Sequence, residues 1–75
     1  MKTEEKTLVL KAIQYLKESY GEDTVAMTVR KNSVEDGHGI LSVDCTVSVG
    51  GSESDWSKEF YFKNNAVTRM TWQRK

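Results

Sequence analysis

Hydrophobic and polar residues alternate most regularly between Leu41 and Val49, where apolar side chains occupy the odd positions and polar ones the even positions. Because successive side chains of a strand point to opposite faces, this pattern predicts a strand with one buried and one solvated face. No longer alternation occurs in the chain, so we expect the central strand of an antiparallel sheet. The face expected to be buried comprises Leu41, Val43, Cys45, Val47 and Val49.

The N-terminal segment has the apolar spacing of an amphipathic helix, and we predict a helix over residues 4–20. Thr3 is a candidate N-cap, and Gly21 stands where a left-handed residue commonly ends a helix. Leu10 falls on the solvent side. The apolar stripe expected to cover the sheet comprises Val9, Ala12, Ile13, Leu16 and Tyr20, with Leu8 and Tyr15 at its edge.

Three further segments favour strands, at about residues 24–31, 55–63 and 66–75. A three-residue loop from Glu35 to Gly37 would place Met27 opposite Cys45 and Val29 opposite Val43, and a Gly50-Gly51 turn would place Cys45 opposite Trp56. Val25 alternates in phase with Met27 and Val29. Lys58 then points inward, and we expect its aliphatic stem to be buried and its ammonium to reach water.

The turn at Asn64-Asn65 leaves two registers open. A two-residue turn pairs Phe62 with Val67 and places Trp72 on the outer face, whereas a three-residue loop pairs Phe62 with Ala66 and turns Trp72 inward. A bulge within residues 66–75 would reconcile the two. The benefit of burying an indole favours a largely buried Trp72.

The predicted fold is α+β: one N-terminal helix packed on one face of a four-stranded antiparallel meander, in a single domain spanning 1–75. In layout this resembles the core of cystatin-like folds. The chain has neither the glutamine-valine-glycine loop nor the proline-tryptophan hairpin of those proteins, so the resemblance implies no residue-level function.

Charge and composition narrow the possible partners. The chain has 11 basic and 11 acidic residues, so no net field attracts nucleic acid or an acidic membrane. The single cysteine, the lack of a signal-peptide core and the absence of a membrane-length apolar run predict a cytoplasmic protein. Residues 63–75 nevertheless carry cations and no acid, namely Lys63, Arg69, Arg74 and Lys75.

No spacing of residues indicates catalysis, a metal site or a cofactor. His38 has no second imidazole or thiol at ligand spacing, and it is interpreted as an exposed turn residue rather than a general base. Cys45 and His38 have opposite parity, which excludes a nucleophilic pair on one strand face. Gly50-Gly51 precedes no helix and does not predict a phosphate site. We therefore expect no enzyme.

The leading functional hypothesis is a non-enzymatic binding module that acts in protein–protein interaction or self-association. Its candidate surfaces are the two edge strands and the solvated sheet face, which is represented by Ser42, Asp44, Thr46, Glu59 and Tyr61. A small-ligand pocket at an open end of the helix–sheet layer, lined by Tyr20, Met27 and Trp56, is an alternative.

The last strand supports another alternative, weak binding of single-stranded nucleic acid. Cations combined with aromatic residues on an open sheet face are typical of surfaces on which bases stack. The candidate binding residues are Tyr61, Arg69, Trp72, Arg74 and Lys75. The competing interpretation is that these cations protect an edge strand from pairing with another copy of the chain.

Overall fold

The computed structural model describes residues 4–75 and contains one helix and one sheet. The sheet is antiparallel throughout, with the strands in sequence order, which confirms the predicted α+β meander. The elements are α1 (Glu5–Tyr20), β1 (Asp23–Asn32), β2 (Gly39–Val49), β3 (Ser52–Lys63) and β4 (Ala66–Arg74). We call the sheet face that carries α1 the inner face and the opposite face the outer face.

Helix α1 ends as its sequence predicts. Gly21 adopts a left-handed φ of 66°, and its N–H donates to the carbonyl of Lys17 at 3.1 Å. The N–H of Glu22 donates to the carbonyl of Leu16, also at 3.1 Å, so the last turn is closed by a glycine cap. At the other end Glu4 is the N-cap and makes no side-chain capping bond. The candidate cap Thr3 lies outside the described residues.

The buried stripe of α1 is rotated relative to the prediction. Leu8, Ala12 and Leu16, each four residues apart, are fully buried, whereas Ile13 is only half-buried. The helix therefore rests on the side that the sequence placed at the edge of the stripe, and Tyr20 at its end is 45% exposed. Leu10 is exposed, as expected.

The pairing of β1 with β2 confirms the predicted register but not the predicted loop. Met27 lies opposite Cys45 and Val29 opposite Val43. The turn has two residues, Asp36 and Gly37, rather than three, since Glu35 pairs with His38. An irregularity at Arg30 adds one residue to β1 and so restores the register.

A second irregularity in β1, between Thr24 and Ala26, corrects the expectation for Val25. The alternation predicted that Val25 is buried in phase with Met27, yet it is 56% exposed. A bulge leaves its extra residue outside the regular alternation of the strand, which explains the difference.

Strands β2 and β3 form a long, regular hairpin around the predicted Gly50-Gly51 turn. Val49 lies opposite Ser52, Cys45 opposite Trp56 and Leu41 opposite Phe60. Strand β3 begins at Ser52, three residues earlier than predicted. The prediction missed this start because the polar run before Asp55 shows no alternation of apolar and polar residues.

The last hairpin has the two-residue turn of the first predicted register and, beyond it, the inward-facing Trp72 of the second. The pairing of Phe62 with Ala66 that the second register required does not form. Asn64 and Asn65 form a two-residue turn with φ of 52° and 64°, so Phe62 lies opposite Val67. A bulge then adds Thr68, whose hydroxyl donates to the carbonyl of Tyr61 at 3.1 Å. This confirms the predicted bulge, and the side chains beyond it are inverted.

Because of that inversion, β4 turns Met70 inward opposite Phe60, where it is buried. Trp72 has the same inward direction but is 55% exposed, so the expectation that it is largely buried is wrong. The helix ends beside it, at Tyr20, and leaves the indole without a cover.

The core lies between α1 and the inner face, and Cys45 is sealed within it at 5% exposure. Burial raises the pKa of the Cys45 thiol, an effect that the nearby Lys58 ammonium partly opposes. The largest fully buried side chains are Leu8, Leu16, Val34, Leu41, Val43, Val47 and Phe60.

A candidate binding cleft at the open end of the inner face

The helix is shorter than the strands on which it rests. A helix of 16 residues is about 24 Å long at about 1.5 Å per residue. The 12 residues of β3 extend about 40 Å at about 3.3 Å per residue, in keeping with the 38 Å length of the molecule. Part of the inner face therefore extends beyond the helix.

A cleft of about 160 Å³ opens where the helix ends. A cavity of roughly 150 Å³ holds a molecule the size of benzene, so the cleft accommodates one aromatic or branched aliphatic group. We call it the aromatic cleft, and its lining residues are Tyr20, Glu22, Trp56, Lys58, Met70 and Trp72.

Two exposed aromatic rings form the rim of the aromatic cleft. The rings of Tyr20 and Trp72 meet edge to face, with centroids 6.2 Å apart and planes at 66°. Tyr20 also contacts Tyr15 in the same manner, at 5.9 Å. Burial raises the pKa of the Tyr15 hydroxyl, and a hydrogen bond and a charge interaction with Tyr20 raise it further. The rim is thus continuous with the packed helix.

A buried ion pair lies at the floor of the aromatic cleft. The Lys58 ammonium is 2.5 Å from a carboxylate oxygen of Glu22, and Lys58 is only 3% exposed. The expectation that this ammonium reaches water is therefore wrong. The reason is that Glu22, placed by the glycine cap of α1, supplies a charge partner that removes the need for solvent.

Trp56 is held in place from two sides. Its indole N–H donates to the hydroxyl of Ser54 at 2.8 Å. The Arg74 guanidinium lies 5.4 Å from its ring centroid and the Lys58 ammonium 5.5 Å, both within the range of cation–π attraction. This wall of the aromatic cleft is therefore preorganised.

The outer face has a different character, because the Asp44 carboxylate there is already paired. Asp44 accepts a hydrogen bond from Ser57 at 2.8 Å and contacts Arg30 at 3.2 Å and Lys75 at 3.1 Å. The Ser57 hydrogen bond first, and then the two cations, lower the pKa of the Asp44 carboxyl. This carboxylate is therefore satisfied by groups of the chain itself.

The structure divides the residues predicted to bind nucleic acid between two surfaces. Tyr61 and Arg69 stack on the outer face, with the guanidinium 4.4 Å from the ring centroid, and Lys75 reaches Asp44. Trp72 and Arg74 lie on the inner face, opposite Lys58 and Trp56. The aromatic residues Tyr61 and Trp72 therefore do not form one stacking surface.

His38 occupies an exposed turn, as interpreted from the sequence. Its Nδ1 accepts a long hydrogen bond of 3.5 Å from the backbone N–H of Asn64, which joins the two turns at that end of the sheet. Within residues 4–75, no His, Cys, Asp and Glu side chains cluster in a group able to hold a metal ion. The described helix lacks the length and apolarity needed to cross a bilayer.

Sequence reasoning assigned Tyr20 and Trp56 to one small-ligand pocket but placed Trp72 on a separate nucleic-acid surface, whereas the structure brings all three together. Sequence reasoning also missed Glu22 and Lys58 as a pair. The available signal was a lysine at an inward-facing position of a central strand, which requires a nearby carboxylate unless it reaches water.

Comparison with known proteins gives no further guide to the site. No protein-family model, no curated protein and no solved structure matches this chain significantly. The cystatin-like resemblance therefore stays at the level of layout.

Proposed function

We propose that this chain is a protein-binding module whose aromatic cleft takes up an apolar side chain of a partner protein. The observation that carries the proposal is the exposure of Trp72 and Tyr20, side by side, at the rim of a cleft. Tryptophan, tyrosine and arginine are the residues that most often dominate the binding energy of protein interfaces. Here the Arg74 guanidinium lies 5.4 Å from the ring centroid of Trp56.

The chemistry of the lining favours an apolar occupant. The walls are indole, phenol and thioether groups, and the two charges at the floor neutralise each other at 2.5 Å. An apolar group that enters displaces water from aromatic surface, whereas a charged group would have to lose its hydration without gaining a free counter-charge.

Preorganisation supports binding at this site rather than on the outer face. Trp56 is fixed by its hydrogen bond to Ser54 and by Arg74, so that little side-chain entropy remains to be lost on association. The aromatic contact between Tyr20 and Trp72 likewise limits the motion of the rim.

Selection from a displayed library of random peptides tests the proposal. We expect the native chain to enrich peptides that share an aromatic or branched aliphatic residue, and the Trp72→Ser variant to lose at least about tenfold in affinity for them, which is about 1.4 kcal/mol. Leu10→Ser is the matched control, because Leu10 is equally exposed but lies on the solvent side of α1. Enriched peptides that bind the Trp72→Ser variant as well as the native chain would refute the assignment of the cleft.

A second candidate function is the binding of a free small apolar molecule in the same cleft. It is favoured by the meeting of Tyr20 and Trp56 in one cleft, as the sequence predicted, although Met27 is not part of the lining. Titration with indole, monitored by the amide resonances of Trp72 and Tyr20, tests it. Saturable shifts at millimolar or lower indole that vanish in Trp72→Ser support it, and unchanged resonances refute it.

A further inference from the structure

We infer that the partner of the aromatic cleft is an extended, acidic peptide segment that adds as a strand to the free edge of β4. This inference rests on the proposed function and specifies the partner. Addition of a strand to an exposed sheet edge is a recurring mode of peptide recognition, in which backbone hydrogen bonds give affinity and side-chain pockets give specificity.

The two edges of the sheet differ in their capacity to accept a strand. Edge β1 is interrupted at Val25 and again at Arg30, and such irregularities disrupt a ladder of hydrogen bonds. Beyond the bulge at Thr68, residues 70–74 of β4 pair with β3 without a break. Within residues 4–75, no strand covers the other side of this run.

The backbone direction of β4 shows which residues would pair with an added strand. The N–H of Lys75 donates to the carbonyl of Asp55 in β3 at 3.1 Å. Backbone groups of successive strand residues point to opposite sides, so the N–H and carbonyl groups of Arg74 and Trp72 point away from β3, toward the free edge.

The same residues direct their side chains to the inner face, where the aromatic cleft lies. A partner residue directly opposite Trp72 therefore has its own side chain on that face. Directly opposed residues have Cβ atoms about 4.5–5.5 Å apart, close enough for contact with the indole and with Tyr20. One partner strand would thus both bond to the backbone groups at the free edge of β4 and place a side chain at the cleft.

Charge selects the partner. Between residues 66 and 75 the chain contains no acid. Lys75 is paired with Asp44, whereas Arg69 and Arg74 lie over the rings of Tyr61 and Trp56 and make no ion pair within residues 4–75. Pairing of β4 with β4 of a second copy would set cations against cations, whereas an acidic strand would be attracted. The cations that protect this edge against self-association therefore also favour an acidic partner.

Nucleic acid shares the negative charge but fits the surface less well. Stacking of consecutive bases requires aromatic residues along one surface, and Tyr61 and Trp72 lie on opposite faces. A peptide strand uses the edge itself and requires only the inner-face ring.

The test uses a synthetic peptide of about ten residues, a common strand length, that alternates glutamate with threonine and carries one central phenylalanine on the threonine side. Its affinity is measured by calorimetry for the native chain and for two variants at one position. Arg74→Ala removes the guanidinium and keeps the edge N–H, whereas Arg74→Pro removes the N–H as well. We expect Arg74→Pro to bind at least about tenfold more weakly than Arg74→Ala, about 1.4 kcal/mol.

Each further arm of the experiment has a defined meaning. If the peptide adds as a strand, only one alternating set of its amides bonds to β4. N-methylation of that set should abolish binding, and N-methylation of the other set should leave binding intact. Equal affinity of Arg74→Pro and Arg74→Ala overturns strand addition. The cleft proposal survives that result if Trp72→Ser still loses binding. Tighter binding of a lysine-for-glutamate peptide, of oligothymidylate, or of a second copy in sedimentation overturns the acidic-peptide assignment.

Discussion

The two ends of the inner face are built from the same strands but differ in how far their apolar side chains are buried. Beneath the helix, Leu41 and Phe60 are fully buried against Leu8 and Leu16. Past the end of the helix, the next inward position of β4 carries Trp72, more than half exposed. The difference arises from length, because a residue adds about 1.5 Å to a helix and about 3.3 Å to a strand.

A single helix therefore cannot cover a long hairpin. The region beneath the helix forms the core that stabilises the fold. The uncovered region presents apolar surface to solvent. The exposure of Tyr20 and Trp72 side by side is the feature on which the proposed binding surface rests.

The largest effect is expected in the covered region. Phe60→Ala removes a fully buried ring and should lower the free energy of unfolding by about 3–5 kcal/mol. Urea denaturation monitored by far-UV circular dichroism measures the change. If the alanine variant does not fold, Phe60→Leu still tests the assignment, with an expected loss of about 1–2 kcal/mol. A neutral result for both would contradict the position of the core.

The boundary between the regions is tested at the floor of the cleft. Glu22→Gln leaves the Lys58 ammonium buried without a counter-charge and should lower the free energy of unfolding by about 3 kcal/mol. Adding Lys58→Met should restore most of that loss, since the double variant contains no buried charge. Unchanged stability in the single variant would mean that the ammonium reaches water.

A small effect is expected in the uncovered region. Trp72→Ala removes an exposed ring whose principal aromatic partner is Tyr20, and should lower the free energy of unfolding by about 1 kcal/mol or less. The same urea titration provides the measurement. A loss as large as that of Phe60→Ala would show that Trp72 belongs to the core and that no separate open region exists.

The smallest effect on stability is expected on the outer face, on the side of the sheet opposite the helix and the aromatic cleft. The folded-state pKa of Asp44 lies below its ordinary value, so its ionised form stabilises the fold above the unfolded pKa of about 3.9. This contribution is lost as the pH falls through the folded-state pKa. The melting temperature should therefore fall less steeply below about pH 4 in Asp44→Asn than in the native chain. Identical profiles would show that the cluster does not stabilise the protein.

Sequence patterns predicted the registers because one strand slip would expose every buried side chain. The pairs of Met27 with Cys45 and Cys45 with Trp56 are therefore correct even though the first loop length was wrong. A shorter turn and a compensating bulge at Arg30 give the same register, and alternation alone does not distinguish them.

The aromatic cleft was less predictable because it depends on relative lengths and on a long-range pair. The polar run that begins β3 at Ser52 hides the length of the hairpin. The expectation for Trp72 rested on the benefit of burying an indole and did not consider where the helix ends. Glu22 and Lys58 are 36 residues apart, and no local pattern links them.

Because of the bulge at Thr68, the number of residues in the last hairpin determines which face of the sheet carries Trp72. Thr68 is the extra residue of the last hairpin, and its presence determines which side of the sheet receives each later side chain. Loss of that single codon from the gene would keep the composition of the strand almost intact while moving the indole from one side of the protein to the other. Insertions and deletions in this hairpin, more than substitutions, would therefore control whether the cleft exists.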